Sequence, residues 1–318
     1  MVKKIAVIND LSGFGRCSLT AAIPVISAMG VQACPLPTAV LSAQTGFPDY
    51  YCDNCPQYIP AFTEKWKKMN ARFDGIYTGF ATDPAQIDAM TGFVDCFKDD
   101  HTQVLVDPIL GDDGAAYKFY SGELCDAFRD LARRATIITP NLTELCLLTG
   151  TEFDSLDHGN WERLQEQIAS LCSDLYDRHH LTTLVTGILH AGGDGHDDAQ
   201  IKLHDGTFEY SSVSGSTGVT ESIVSRGNAD RIATGIFSKG SWSVEDAPLL
   251  PASYSGTGDL FASVMIAGIV RGGDAVRTVR LAQEFLGAAI RASIKSNVYP
   301  PEGTDFEPYL PMLRDTYS

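Results

Sequence analysis

Short apolar runs alternate with helix-periodic segments along most of the chain. The first run, residues 5–8, predicts a buried strand, and a Gly-rich turn separates it from a predicted helix at 18–29, which ends at Gly30. The same order then repeats, with strands predicted at 33–38, 75–78, 103–106, 136–139 and 183–186, and helices at 56–71, 84–98, 123–134, 143–149 and 161–179. This alternation indicates a mainly parallel sheet with helices on both of its faces.

The alternation stops between residues 189 and 250. Two short segments, 200–203 and 207–210, predict a hairpin, whereas 211–243 is rich in Ser, Thr and Gly and has little periodicity. We interpret this part as strands at the sheet edge plus a mobile loop, and we expect 211–245 to be an insert or lid. Two further helices are predicted after it, at 258–271 and 278–294. Because the chain has no internal repeat and no dividing linker, residues 1–318 are predicted to form a single domain.

Composition argues against several classes of function. The chain has 318 residues, 44% of them hydrophobic, and its 24 basic and 40 acidic residues give a net charge of −16. Nucleic-acid binding needs a basic stripe, and none is visible, so we expect no nucleic-acid partner. The first apolar run is too short for a signal peptide, and no apolar stretch approaches the ~18 residues of a membrane span. We therefore expect a soluble, cytoplasmic protein with no membrane partner.

Acidic residues follow two of the predicted strands directly. They lie in residues 107–112, with the sequence DPILGD, and in residues 139–144, with the sequence TPNLTE. Open α/β sheets bind ligands outside the carboxyl ends of their strands, so both segments should lie on the ligand-binding rim. Carboxylate oxygens suit Mg²⁺, which usually takes one or two carboxylates together with phosphate oxygens. A second interpretation is that Asn141 and Thr143 cap the helix that follows, and both roles can share one helix start.

The segment from Gly256 to Asp259, Gly-Thr-Gly-Asp, opens a strongly helical stretch. Its backbone N–H groups should lie at a helix N-terminus, where two glycines let an anion approach closely and the helix dipole favours negative charge. A carboxylate in this turn can accept a proton from an attacking hydroxyl while the N–H groups hold phosphoryl oxygens. The alternative is an ordinary turn with a first-turn acid. Because the two acidic segments share the same rim, we favour a kinase with Asp259 as its base.

Together these segments resemble the ribokinase-like superfamily and, within it, the pyridoxal/pyridoxamine kinase branch. The superfamily's GxGD motif matches 256–259, the branch's DPxxGD motif matches 107–112, and its TPNxxE motif matches 139–144. The resemblance covers residues 5–190 and 247–295. It implies a three-layer α/β/α fold and an ATP-dependent kinase that phosphorylates the 5′-hydroxymethyl group of pyridoxal, pyridoxamine or pyridoxine. It also implies a homodimer.

The resemblance further implies roles for individual residues. It makes Asp259 the catalytic base and assigns the anion-binding backbone to Gly256, Thr257 and Gly258. It implies that ATP is bound by Asn141, Glu144, Thr186 and Thr257. It implies that Mg²⁺ is held by Asp107 and Glu144, and it leaves open a monovalent cation such as K⁺. It implies that the substrate is contacted by Asp10, Ser12, Thr45, Phe80, Asp112 and Tyr117.

Three departures from the branch leave the substrate open. The strand end Asp10-Leu-Ser-Gly is more similar to the hydroxymethylpyrimidine kinases of thiamin synthesis than to the Gln-Ser-His of many pyridoxal kinases. Phe80 stands where a Tyr is common, which keeps a stacking ring and loses a hydroxyl, and the stretch 211–245 is long. The alternatives are therefore a hydroxymethylpyrimidine kinase and a non-catalytic vitamer-binding protein. Asp10 could instead cap a helix, and Tyr117 could be a surface-loop aromatic.

Overall fold

Eleven strands and eight helices make up the part of the chain that the computed structural model describes, residues 2–81, 83–117, 121–192 and 229–314. The strands are β1 (Lys4–Ser12), β2 (Gln32–Leu41), β3 (Cys52–Asn54), β4 (Gly75–Thr78), β5 (Gln103–Val106), β6 (Gly111–Asp112), β7 (Ala115–Ala116), β8 (Ile137–Ile138), β9 (Thr182–His190), β10 (Arg231–Ser238) and β11 (Ser241–Pro248). The helices are α1 (Ser18–Ala28), α2 (Tyr58–Lys68), α3 (Pro84–Phe97), α4 (Gly122–Ala132), α5 (Leu142–Thr149), α6 (Trp161–His179), α7 (Thr257–Val270) and α8 (Ala275–Lys295). Short 3₁₀ helices occupy Phe153–Ser155, Pro300–Glu302 and Glu307–Leu313.

Nine of the strands form one sheet, in the order β11-β10-β9-β8-β5-β4-β1-β2-β3. The six strands from β9 to β2 in this order are parallel, whereas β3 at one edge and β10 and β11 at the other pair antiparallel. β6 and β7 form a separate two-stranded ribbon. The predicted mainly parallel sheet is confirmed. Since parallel strands end on the same side, the residues that follow β1, β4, β5 and β8 share one rim.

Apolar side chains pack on both faces of this sheet. On one face, Val7 and Tyr77 belong to a core that includes residues of α1, α7 and α8. On the other face, Ile8 and Ile76 pack with residues of α2, α3 and α4. Successive strand residues point to opposite faces, so a continuous apolar run such as 5–8 supplies both cores. The predicted three-layer α/β/α arrangement is therefore confirmed.

The end of β9 differs from the prediction. The sequence predicted that the strand stops at Gly187, but it continues to His190. Gly187 has φ of 70°, and the pairing with β10 shifts register between Ala233 and Gly235. Two residues of β9, Thr186 and Gly187, therefore lie opposite one residue of β10, which is a β-bulge with glycine in the left-handed conformation. The glycine bends the strand and does not end it.

Within residues 189–250, the part that the structure describes lies at the edge of the sheet. The predicted edge strands are β10 and β11, an antiparallel hairpin in which Arg231 pairs with Pro248 and Ser238 pairs with Ser241. The predicted hairpin at 200–203 and 207–210 lies outside the described residues, as do residues 211–228 of the expected insert. Over the described ranges, no helix combines the length and the apolar character needed to span a membrane.

The aromatic core beside α3 leads to a stability prediction. Phe93 is fully buried, and its ring centroid lies 5.9 Å from that of Trp66 and 4.6 Å from that of Phe97. Phe93→Ala should lower the free energy of unfolding by about 3–5 kcal/mol, because it removes buried apolar surface and leaves a cavity. Urea unfolding measures this change. Tyr51→Ala, at a side chain that is 68% exposed, is the control and should cost less than about 0.5 kcal/mol. Equal losses in the two variants would contradict the assigned core.

Candidate active site

Most of the predicted site residues meet at the carboxyl ends of the parallel strands. β1 carries Asp10 and Ser12 at its end, and β5 leads directly into Asp107. α7 begins on the same rim with Asp259 in its first turn, and hydrogen bonds join this carboxylate to β1, β4 and α1. The expected rim site is therefore assembled from segments that lie far apart in the sequence.

Asp259 is held by three hydrogen-bond donors from three elements. Its Oδ1 accepts from Asn9 Nδ2 at 3.0 Å and from the Tyr77 hydroxyl at 3.2 Å. Its Oδ2 accepts from the backbone N–H of Ser18 at 2.7 Å. Burial is the main cause that raises the pKa of Asp259 to about 6; the Ser18 N–H opposes this rise, and the charge of Asp10 adds to it. Such a carboxyl is ionised at neutral pH and still takes up a proton readily, as a general base must.

The start of α7 leaves room for an anion. Gly256 has φ of 78°, and no side chain caps the helix. The Thr257 hydroxyl donates to the carbonyl oxygen of Tyr254 at 3.2 Å and so supports the turn. A Cβ added at Gly258 would have no described atom within 4 Å, so this side of the turn is open. Uncapped N–H groups at a helix start attract anions, which agrees with the predicted phosphate-binding backbone.

Asp10 lies in the site as predicted, and it is buried and hydrogen-bonded. It is 5% exposed; its Oδ2 accepts from the Ser12 hydroxyl at 2.8 Å, and its Oδ1 accepts from the Ser18 hydroxyl at 2.5 Å. Burial raises the pKa of Asp10, and the two hydroxyl donors oppose the rise. Asp10 and Ser12 therefore bond within the protein, and their contact with a substrate stays a prediction.

Asn9 is a site residue that the sequence analysis did not identify. Its Oδ1 accepts from the backbone N–H of Phe80 at 2.8 Å and from that of Asp10 at 3.0 Å, which turns Nδ2 toward Asp259. A Cβ at Gly79 would lie 2.5 Å from this Nδ2, so the glycine after β4 makes space for the amide. The only signal in the sequence was the position of Asn9 at the end of an apolar strand. The predicted Phe80 is therefore connected to the site by the hydrogen bond from its backbone N–H to Asn9.

Asp107 and Glu144 form a second acidic group on the rim. The Thr139 hydroxyl donates to Asp107 Oδ1 at 2.7 Å, and burial raises the pKa of Asp107 to about 7. Glu144 accepts backbone N–H groups of Leu110 at 3.1 Å and of Asn141 at 2.9 Å. Burial first, and then the charge of Asp107, raise the pKa of Glu144 well above its ordinary value. The Asn141 side chain accepts from the Glu144 N–H, so the capping interpretation of Asn141 is confirmed.

A hard cation fits this acidic pair. Burial is the main cause of the raised pKa values, and repulsion between carboxylates adds to it. The charge of Asp107 raises the pKa of Glu144, and the charge of Asp259 raises the pKa of Asp107. A bound cation would relieve that repulsion, and two carboxylates with phosphate oxygens are a usual environment for Mg²⁺. Among the described residues, no group of three or more His, Cys, Asp or Glu could hold a metal ion. The pair therefore suits a metal that is bound jointly with phosphate.

Three further predicted residues border this acidic pair. Asp112 ends β6, and the N–H of Tyr117 donates to the carbonyl oxygen of Leu110 at 3.0 Å. Burial, followed by the charges of Asp112 and Glu144, raises the pKa of the Tyr117 hydroxyl. Thr186 forms a bridge with Asn141, the residue that caps α5. Thr186, which lies in the bulge of β9, is therefore next to the start of α5.

The loop after β2 contains the predicted Thr45 and, next to it, a buried glutamine that the sequence analysis did not identify. Thr45 is exposed, whereas its neighbour Gln44 is only 6% exposed. Gln44 Nε2 donates to the carbonyl oxygen of Pro301 at 2.8 Å and to the Ser255 hydroxyl at 3.2 Å. Ser255 directly precedes the anion-binding turn, so Gln44 ties the loop after β2 to that turn. The sequence pattern drew attention to Thr45 and missed the buried amide beside it.

Comparisons with known proteins agree with this geometry. The model of the phosphomethylpyrimidine kinase family matches residues 15–214, which is more than half of the chain. The chain belongs to this family. A pyridoxal kinase of Leifsonia xyli is similar to the chain, with 25% identity over 285 residues. The match covers 87% of this chain and 84% of the L. xyli protein.

Solved structures of similar proteins extend the comparison to the whole fold. A protein of Bacteroides thetaiotaomicron, provisionally assigned as a phosphomethylpyrimidine kinase and crystallised with pyridoxal, is 30% identical, with a TM-score of 0.80 and coverage of 98% of this chain and 96% of that one. The pyridoxal kinase of Leishmania donovani, solved with ADP and pyridoxine, is 18% identical, with a TM-score of 0.73 and coverage of 98% and 95%. The predicted kinase fold and the resemblance to pyridoxal kinases are confirmed, and the chain is a kinase of the phosphomethylpyrimidine kinase family.

Two glycines with the same backbone conformation test how tightly the anion-binding turn is packed. A Cβ at Gly256 would lie 2.0 Å from the carbonyl oxygen of Arg16, whereas at Gly240, with φ of 74°, it would meet no described atom within 4 Å. Gly240→Ala should cost about 1–2 kcal/mol of unfolding free energy from left-handed strain alone. Gly256→Ala should cost about 2–5 kcal/mol, because overpacking adds to the same strain. Urea unfolding compares them, and equal costs would contradict the close contact at Arg16.

Proposed function

We propose that the protein transfers the γ-phosphate of ATP to the 5′-hydroxymethyl group of pyridoxal, pyridoxamine or pyridoxine, a salvage reaction of vitamin B6. The observation that carries the proposal is the Asp259 carboxyl, whose pKa is raised to about 6 at the uncapped start of α7. This arrangement supports a role for Asp259 as a base next to N–H groups that can hold a phosphoryl group. The L. xyli relative, a pyridoxal kinase, and the B. thetaiotaomicron protein, crystallised with pyridoxal, support the choice of substrate.

In the proposed reaction, Asp259 accepts the proton of the substrate hydroxyl as the hydroxyl oxygen attacks the γ-phosphorus of ATP. The bond between the γ-phosphorus and the oxygen that bridges it to the β-phosphate breaks, and that oxygen leaves as part of ADP. Phosphoryl transfer depends mainly on positioning and on charge stabilisation. The backbone N–H groups of Gly256, Thr257 and Gly258 supply part of that stabilisation, because they are fixed before the reaction begins.

We place the nucleotide along the rim between the starts of α7 and α5. Asn141 and Glu144 hold each other in a capping box, so both are fixed in orientation next to Thr186. Asp107 and Glu144 are the residues that would hold Mg²⁺. When bound, Mg²⁺ would neutralise charge on the phosphate oxygens. A monovalent cation, the homodimer and the cytoplasmic location stay predictions.

A hydroxymethylpyrimidine kinase is the second candidate. The family that matches the chain is named for a pyrimidine substrate, and the Asp10-Leu-Ser-Gly strand end also favours a pyrimidine. Both substrates carry a hydroxymethyl group on a nitrogen heterocycle, so the same base would serve either one. A non-catalytic vitamer-binding protein accounts less well for Asp259, because a binding protein has no need of three donors that orient a base.

A substrate panel tests the proposal. ATP consumption should be measured with pyridoxal, pyridoxamine, pyridoxine and hydroxymethylpyrimidine, each with and without Mg²⁺, and the products identified by mass. We expect kcat/KM for the best vitamer to exceed that for the pyrimidine by about tenfold or more. Chelation of Mg²⁺ should abolish turnover, because the rim acids would otherwise repel the nucleotide. Preference for the pyrimidine would establish the second candidate, and no phosphorylated product would overturn both.

The assigned base leads to a second kinetic prediction. Asp259→Asn should lower kcat about 10²–10⁴-fold and leave KM nearly unchanged, because the amide keeps the shape of the carboxylate but cannot take the proton. Wild-type kcat should fall as the pH drops through about 6, since Asp259 is then protonated. Steady-state kinetics across the acidic and neutral range measure both effects. Near-full turnover by the variant would show that another group is the base.

A further inference from the structure

We infer that Ser18 is a positioning residue that aims the Asp259 carboxylate at the substrate hydroxyl and ties it to Asp10. The inference rests on the proposed function, because it presumes that Asp259 is the base. Ser18 was not identified from the sequence, and it reaches the site through two different atoms. Its role follows from contacts, backbone conformation and the hydrogen-bonding capacity of Asp259.

Ser18 joins two carboxylates that come from different elements. Its backbone N–H donates to Asp259 Oδ2 at 2.7 Å, and its hydroxyl donates to Asp10 Oδ1 at 2.5 Å. It is the first residue of α1 and is 6% exposed. One buried residue therefore fixes the distance between the end of β1 and the first turn of α7.

The backbone of Ser18 has a strained conformation that accompanies these two contacts. Its φ is 48°, in the left-handed region that residues other than glycine seldom adopt, and the preceding Cys17 is extended. Such a conformation costs free energy and persists only where surrounding contacts impose it. Here the bonds to Asp10 and Asp259 hold it, and the reversal of direction between Cys17 and Ser18 turns the N–H toward the base.

The hydrogen-bond count on Asp259 indicates which oxygen reacts. Oδ1 already accepts from Asn9 and Tyr77, whereas Oδ2 accepts only from Ser18 among the described residues. A carboxylate oxygen has two lone pairs, so Oδ2 keeps one that can take the substrate proton. The Ser18 N–H occupies the other lone pair and so sets the orientation of the reactive one.

The segment just before Ser18 is fixed by contacts of Arg16 with residues 302–307. The N–H of Arg16 donates to the carbonyl oxygen of Glu302 at 2.9 Å, and Arg16 packs so closely on Gly256 that no Cβ fits there. Arg16 also forms ion pairs with Asp305 at 2.8 Å and Glu307 at 2.8 Å. Movement of the segment would therefore disturb the anion-binding turn, which couples the aim of the base to the phosphate site.

Four titratable groups face Asp259 in this arrangement. Asp10 and Cys17 lie on the β1 side, and Tyr77 and Asp107 lie at the ends of β4 and β5. The Ser18 N–H is a donor that lowers the pKa of Asp259 against the effect of burial. If this bond is lost or lengthened, the base should titrate at a higher pH.

The test is Ser18→Ala, which keeps the backbone N–H but removes the hydroxyl that Asp10 holds. We expect kcat to fall about tenfold, because the orientation of the base changes. KM for ATP should stay within about twofold of wild type, because the Arg16 contacts remain and keep the Gly256 turn in place. The acidic limb of the kcat profile should move to higher pH. Ser18→Gly also removes the hydroxyl and relieves the left-handed strain, so it should fold even if Ser18→Ala does not, and it should show the same shift.

Thr20→Val is the matched control at the same helix start. The Thr20 hydroxyl shares its proton between the carbonyl oxygens of Cys17 at 2.7 Å and Gly15 at 3.1 Å, accepts from the Cys17 N–H at 3.3 Å, and bonds to neither carboxylate. It should lower the melting temperature without moving the acidic limb. The inference is overturned if both Ser18 variants keep the wild-type kcat and pH profile, or if Thr20→Val moves the limb equally. Wild-type protein that phosphorylates no substrate would instead overturn the proposed function, and the inference with it.

Discussion

Four acidic side chains share one end of the sheet. Hydrogen-bond donors, and not basic side chains, surround their carboxyl groups. Burial is the leading cause that raises the pKa of Asp10, Asp107, Glu144 and Asp259. In the described ranges, none of them forms an ion pair with Lys, Arg or His. Because an unpaired buried charge is very costly, each rim element must deliver a donor to one of these acids. Donors to Asp259 come from β1, β4 and α1, and the residue that caps α5 donates to Glu144.

The acidic side chains at the rim also affect how a nucleotide can bind. Its phosphates would add negative charge to a rim that already carries four acids, and the N–H groups at the start of α7 offset only part of that charge. Asp107 and Glu144 already repel each other, as the raised pKa of Glu144 shows after the larger effect of burial. We therefore propose that metal and nucleotide bind together, since each supplies charge or ligands that the other needs. In this proposal Asp107 and Glu144 would supply the protein ligands and the phosphates would supply others.

The sequence predicted the layers of the fold because they depend on local patterns. Apolar runs set the strands and helix-periodic segments set the helices, so even the bounds of β5 and α6 match the expectation. The GxGD and TPNxxE segments are also local sequence patterns, and they indicated two parts of the candidate site. The donors to Asp259 could not be predicted, since Tyr77 looks like an ordinary buried strand residue and lies 182 positions from the carboxylate that it contacts. Its role exists only after β4 and α7 pack together.

Asp10 shows how a motif can be located correctly while its role stays open. The family resemblance implied that Asp10 contacts the substrate, and in the structure its two oxygens accept hydrogen bonds from Ser12 and Ser18 within the protein. Each oxygen accepts one of these bonds and keeps one lone pair, so the two serine hydroxyls and a substrate donor can share this carboxylate. We therefore expect that selection between a pyridine and a pyrimidine needs contacts besides Asp10. The exposed loop around Thr45 offers a surface for such a contact.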